Sequence, residues 1–191
     1  TLYHSEGCPC GLKVILAAKF AGIDMKVVES KDGSGKHPLH KVPVLETSDG
    51  ILFEANAAAR WISRGTRLLG TSPFEGALID QWTEFCNEID LPACAWVLPI
   101  LTSTPANQAA VRKAKSDTRK VLGVLNAHLL TRTFFVGERI TLADISVFSS
   151  LLGMYKLVLD AGFRKEFKNL NRWFQTVAHF PTVASVVGAV E

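Results

Sequence analysis

No stretch of this chain is apolar and uncharged for the roughly 18 or more residues that a membrane-spanning helix takes, so no membrane partner is expected. The start has no basic segment leading into an apolar run and a small-residue cleavage site, and the expected compartment is the cytoplasm. Cysteine is scarce. The four present, Cys8, Cys10, Cys86 and Cys94, form two pairs whose gaps of one and seven residues fit no zinc template, and the five histidines make no HxxxH pattern. Neither a metal site nor a disulfide framework is therefore expected. An excess of one charge is also missing: 21 Lys and Arg face 18 Asp and Glu, a net of +3, which by itself implies neither nucleic acid nor an anionic membrane. Repeats and low-complexity segments are absent. What remains, 191 residues of which 48% are hydrophobic and 20% charged, is ordinary globular composition with enough chain for one large or two small packed units. The chain begins at Thr1 without Met and is expected to be one piece of something longer.

The clearest local signal lies between Phe134 and Leu159. After the polar turn Val136-Gly137-Glu138-Arg139, Thr141 is placed to cap a helix, and Asp144 three residues on can reach back to the cap's own amide. Ile140 and Ile145 flank that cap as a hydrophobic staple. The residues that follow, up to Lys156, are apolar or small nearly all round, which predicts a buried central helix.

The first part reads as a short strand at Thr1–His4, a helix opened by Pro9 and closed by Gly22, and a strand over Ile23–Glu29. A Gly, Lys and Ser-rich loop follows to His37. Val42–Thr47 and Ile51–Phe53, joined through Asp49-Gly50, form a hairpin, and Glu54–Ser63 returns to helix. The βαβ start implies a parallel pair and the hairpin an antiparallel one. No strand pattern appears beyond the linker. Pro73 opens a helix with Leu78, Trp82, Phe85 and Ile89 as its apolar stripe, which Pro92 should kink or end. Ala110, Ala114, Val121, Leu125 and Leu129 line another helix, and short helices are expected over Phe163–Phe167, Leu170–His179 and Thr182–Val190. The expected division is a mixed α/β domain over 1–65, a linker over 66–72 and an all-helical domain over 73–191.

Few residues could carry chemistry. Cys8, before Pro9 at a helix start, is where a helix N-terminus can stabilise a thiolate and make it nucleophilic; Cys8-Pro9 resembles the glutaredoxin site, with Cys10 at an unusual one-residue spacing. The alternative is that Cys8 is only a small cap and Cys10 a core-facing apolar residue. Glu54-Ala55 opens a helix whose free amides could cradle a carboxylate. His40 and Lys41 could hold a second one, or be loose surface charges. Val42-Pro43 precedes a strand. The basic residues from Arg112 to Lys120 read as a solvated helix side, and no direct nucleic acid contact is expected.

A small α/β unit with Pro43 and Glu54, followed by an all-helical unit with a capped core helix at Thr141, resembles the cytosolic glutathione transferase fold over essentially the whole chain. Three further segments, Pro92-Ala93-Cys94-Ala95-Trp96-Val97-Leu98-Pro99, Thr131 to Asp144 and Asn169-Leu170-Asn171-Arg172-Trp173-Phe174, resemble the gamma-subunit family of eukaryotic translation elongation factor 1. The resemblance implies a thioredoxin-like N-terminal domain and a helical C-terminal one. It also implies a scaffold that binds the nucleotide-exchange subunit of the elongation complex, needs no cofactor, and pairs as a homodimer in which the α/β domain of one subunit packs on the first helices of the other's helical domain. Similar domains are appended to aminoacyl-tRNA synthetases, the alternative setting. For glutathione, the resemblance implies that Val42 and cis Pro43 receive the cysteinyl backbone, Glu54 and Ala55 the γ-glutamyl end, and His40 and Lys41 the glycyl carboxylate. Ala55 stands where the family usually has Ser or Thr, so one hydroxyl donor is missing, worth about 1.5 to 3 kcal/mol. Cys8 lies where the thiol-transferring members place their cysteine, which implies glutathione-dependent thiol transfer as the enzymatic alternative.

Overall fold

The computed structural model describes residues 1–190. Its N-terminal part is a sheet of strands β1 (Leu2–His4), β2 (Val27–Glu29), β3 (Val44–Thr47) and β4 (Gly50–Phe53), in the order β2-β1-β3-β4. β1 and β2 run parallel, as the crossover through helix α1 (Pro9–Phe20) requires. β3 is antiparallel to both β1 and β4, with Leu45 opposite Leu2 on one side and Leu52 on the other. Helix α2 (Ala55–Ile62) packs beside α1 and closes the unit.

The strand expected over Ile23–Glu29 begins only at Val27. Helix α1 ends in a Schellman motif: Gly22, at φ 68, donates to Lys19 O at 3.2 Å and Ile23 N donates to Ala18 O at 2.9 Å. The backbone of Ile23 is thus committed to the helix end, and the chain must emerge from it before it can join the sheet.

Helix α3 (Pro73–Leu101) starts as expected, with Ser72 Oγ accepting from Glu75 N at 3.2 Å and Pro73 in the first turn, but it does not end at Pro92. An interior proline costs roughly 3 kcal/mol. Ile89, Trp96 and Val97, buried on both sides of it, each return about 1.5 to 3 kcal/mol through burial against the rest of the core, and the helix runs on past Pro99. In α4 (Gln108–His128) the buried row is Ala114, Thr118, Leu122 and Leu125, continued by Leu129; Ala110 is exposed and Val121 only half-buried, contrary to expectation. The basic side of α4 is laced with partners: Lys113 with Asp117, Arg119 with Glu166, and Lys115 over the Trp96 ring.

The central helix α5 (Leu142–Leu157) is where the two halves meet, packing on α3 on one side and on α1 on the other. Buried residues run all round it from Leu142 to Leu152. Asp144 Oδ2 accepts from Thr141 N and from Thr141 Oγ1, both at 3.0 Å, and Ile140 and Ile145 are buried on either side of the cap. The terminal helices are α6 (Ala161–Arg164), α7 (Lys168–Ala178) and α8 (Pro181–Val187). The first begins two residues before Phe163 because Asp160 caps it, its Oδ1 accepting from Phe163 N at 2.8 Å. No helix among the described residues is long and apolar enough to cross a membrane.

Candidate functional site

Three chain segments converge at the edge of the sheet: the first turn of α1, the loop entering β3, and the start of α2. Gly33 lets the loop close. It sits at φ 67, and a Cβ there would fall 2.6 Å from the carbonyl oxygen of Lys41, so no other residue fits without displacing the backbone. Beyond it the Val42–Pro43 peptide is cis and leads into β3. Glu54 caps α2 with φ at 70, a left-handed conformation that costs a non-glycine residue about 1 to 3 kcal/mol, and its side chain makes no cap bond. The first amides of α2 have no partner within the helix.

Between these segments and α3 lies a cavity of about 190 Å3. Lys41, Val42, Pro43, Glu54 and Ala55, all singled out in the sequence, line it. His40 and Cys8 do not: His40 is an exposed residue at φ 51, and the buried His37 takes the place on the wall, its Nδ1 accepting from Leu39 N at 2.9 Å and its ring 5.2 Å from that of Phe53.

The opposite wall was not anticipated. Lys13 of α1 is 4% exposed and donates from Nζ to Asn56 Oδ1 at 2.6 Å. From α3 come Cys86 and Asp90. Burial raises the Asp90 carboxyl above the usual range, the nearby Ser150 hydroxyl and Lys13 ammonium opposing it, and its Oδ1 has no hydrogen-bond partner among the described residues. Burial likewise lifts the Cys86 thiol to about 11. One sequence signal could have found this wall: Lys13 interrupts the apolar run Leu12 to Ala18, and a lysine there must be paired or lost to the core.

Cys8 occupies the N-cap of α1 with Pro9 in the first turn and makes no cap bond through its side chain. Its thiol is pulled down to about 6, first by a hydrogen bond from the Cys10 thiol, then by the amides of Gly11 and Cys10 and by His4, against the opposing effect of burial. Cys10 is pushed far up by the same contact and by its burial. His4 lies flat against the glycine of the next turn: a Cβ on Gly11 would stand 2.6 Å from His4 Nδ1, an atom with no hydrogen-bond partner among the described residues. Among those residues no group of three or more His, Cys, Asp or Glu side chains is placed to hold a metal.

The glutathione S-transferase N-terminal domain model matches residues 1–64, and the corresponding C-terminal domain model residues 90–181. The chain belongs to the glutathione transferase family. Among curated relatives it is 41% identical to elongation factor 1-gamma of Sus scrofa over 94% of this chain and 44% of that protein. It is 42% identical to elongation factor 1-gamma-A of Xenopus laevis over 100% of this chain and 47% of that protein. The chain thus spans just under half the length of these relatives. Among solved structures, glutathione transferase F2 of Populus trichocarpa superposes with a TM-score of 0.86 over 97% of this chain and 96% of that one, at 18% identity, a likeness of fold. The cis proline and the carboxylate at the start of α2 thus sit in a family scaffold, with an alanine after the carboxylate.

Proposed function

We propose that this chain is the transferase-like domain of an elongation factor 1-gamma, acting as a cytoplasmic scaffold that binds the nucleotide-exchange subunit of the elongation complex. The observation that carries the reading is identity of about 40% to elongation factor 1-gamma across the whole chain rather than over one domain. The cavity argues in the same direction. At about 190 Å3 it is smaller than the roughly 300 to 1,000 Å3 of ordinary ligand pockets. Glutathione would be held by the Ala55 amide, by Lys41 and by the backbone at Val42, without a hydroxyl from residue 55. Losing one charge-assisted bond of about 1.5 to 3 kcal/mol weakens binding roughly ten- to a hundredfold. Glutathione is therefore a residual ligand in this reading, and no catalytic group is required for the scaffold role.

Two titrations test it together. The purified chain and the exchange subunit should associate at micromolar concentration, and a pair that stays separate there would overturn the proposal. In calorimetry with reduced glutathione, a dissociation constant weaker than about a millimolar, under roughly 4 kcal/mol of binding free energy, is expected. Tighter binding would mean that the alanine is compensated and that the cavity has kept a ligand-binding task of its own.

A further inference from the structure

The near balance of charge over the whole chain hides a segregation in the fold. Arg112, Lys113, Lys115, Arg119 and Lys120 lie within nine residues of α4, a stretch whose single acid is Asp117. The turn from α6 into α7 adds Arg164, Lys165 and Lys168 against Asp160 and Glu166. Glu166 fastens that turn to α4, its two carboxylate oxygens accepting from Arg119 Nε at 3.0 Å and Nη2 at 2.9 Å. The end of α3 beside them, where Trp96 meets Lys115, does not dilute the charge, because no charged residue stands between Asp90 and Arg112. These segments hold eight of the 21 Lys and Arg and three of the 18 Asp and Glu, which leaves the rest of the chain with 13 against 15. One face is thus strongly basic and the remainder slightly acidic. Among the described residues no carboxylate pairs with Arg112, Lys115, Lys165 or Lys168.

We infer that this face, α4 with the α6–α7 turn, is a docking surface for the phosphate backbone of double-helical RNA. Its chemistry selects among polyanions. No large apolar side chain is exposed on either segment, so the face offers neither the anchors on which a protein interface is built nor a group to insert into a membrane. The aromatic rings beneath it are taken: Arg119 lies 4.6 Å over Phe163, Lys115 5.2 Å over Trp96 and Arg164 5.7 Å over Tyr155. Bases of a single strand therefore find no free ring to stack on. The same contacts hold the cations in place, which lowers the ordering cost of meeting phosphates. From Arg112 to Lys120 the row runs about 12 Å along the helix. Exposed ion pairs such as those of Asp117 are weak enough for a phosphate to compete for the lysines. The choice of RNA over DNA rests on the elongation reading; the basic face itself does not.

Fluorescence anisotropy of the chain with a labelled RNA duplex of mixed sequence tests the surface. Contact with about four phosphates predicts micromolar binding near 50 mM salt, a slope of log K against log salt of about −3 to −4, and at least tenfold weaker binding near 150 mM. The exposed triple variant Arg112→Gln, Lys115→Gln, Lys168→Gln should weaken binding at least tenfold and flatten the slope by about 2 to 3. A triple variant with the same loss of charge elsewhere, Lys19→Gln, Lys26→Gln, Lys31→Gln, should stay within about twofold of wild type, and urea midpoints show that each variant is folded. No binding at the lower salt, or equal weakening by both triple variants, would overturn the inference. Tighter binding of a DNA duplex of the same sequence would overturn the assignment to RNA, and so would binding to phosphatidylserine vesicles at a salt concentration that releases the RNA. Association with the exchange subunit is read in a separate titration, so the loss of one result leaves the other standing.

Discussion

Cys8 is drawn down to about 6, chiefly by the hydrogen bond from Cys10, while burial holds Cys86 up at about 11, so pH separates the two thiols. Alkylation of Cys8 should rise through about pH 6 and level off above it, with Cys86 untouched until strongly alkaline conditions. Stability follows with a definite sign. Between about 6 and the ordinary value of 9.0 the folded chain has released the Cys8 proton and the unfolded chain has kept it. The unfolded state binds more protons there, so stability increases with pH over that window and falls away as pH drops through about 6. The difference in urea midpoint between wild type and Cys8→Ser should therefore widen from pH 6 to pH 8; a constant difference would mean that Cys8 is an ordinary thiol. At this scale the sequence showed the helix start that places Cys8. It could not show the Cys10 contact or the Lys13–Asn56 bond, because each depends on side-chain directions that spacing leaves open.

The element that couples the halves, α5, was legible for the opposite reason. Its start is written in contiguous residues, Ile140 to Ile145, whose cap and staple are local interactions that survive any tertiary arrangement. What the sequence did not show is how much more Asp144 carries: besides the cap, its Oδ1 accepts from Phe135 N at 3.0 Å and Trp173 Nε1 at 2.9 Å, tying the preceding loop and α7 to the same carboxylate. Asp144 is fully buried, and Asp144→Ala would leave four donors without an acceptor. The expected loss is about 3 to 5 kcal/mol. Asp144→Asn should fall short of that, because an amide oxygen still accepts, and Thr141→Ala should cost about 1 kcal/mol. Urea denaturation reads all three, and a cost for Asp144→Ala no greater than for Thr141→Ala would remove the carboxylate from its central place. Whether Pro92 kinks or ends the helix stayed open in the sequence because the deciding cause is non-local: the burial that outweighs one lost hydrogen bond comes from residues of α5 some fifty positions further on.

At the scale of the whole molecule, the two halves are joined by polar contacts across the seam, Arg60 with Asp80 and Asn56 with Glu84, with Lys13 holding Asn56 from within the α/β half. The large apolar side chains left outside are distributed unevenly. Phe53 and Ile51 project from β4, Phe74 stands 74% exposed at the start of α3, and Leu91 stands 72% exposed further along it. β4 belongs to the α/β half and α3 is the first helix of the helical half, the two regions that the family resemblance brings together between subunits. Exposed apolar groups of this size on matching elements favour association. The chain should therefore sediment at micromolar concentration with the mass of two copies, and Phe53→Glu or Leu91→Glu should shift it toward one, since each places a charge in a contact that must lose its water. A single species of monomer mass in the wild-type chain would reject the dimer. A dimer indifferent to both substitutions would move the interface away from β4 and α3, onto a surface that the sequence pattern does not mark.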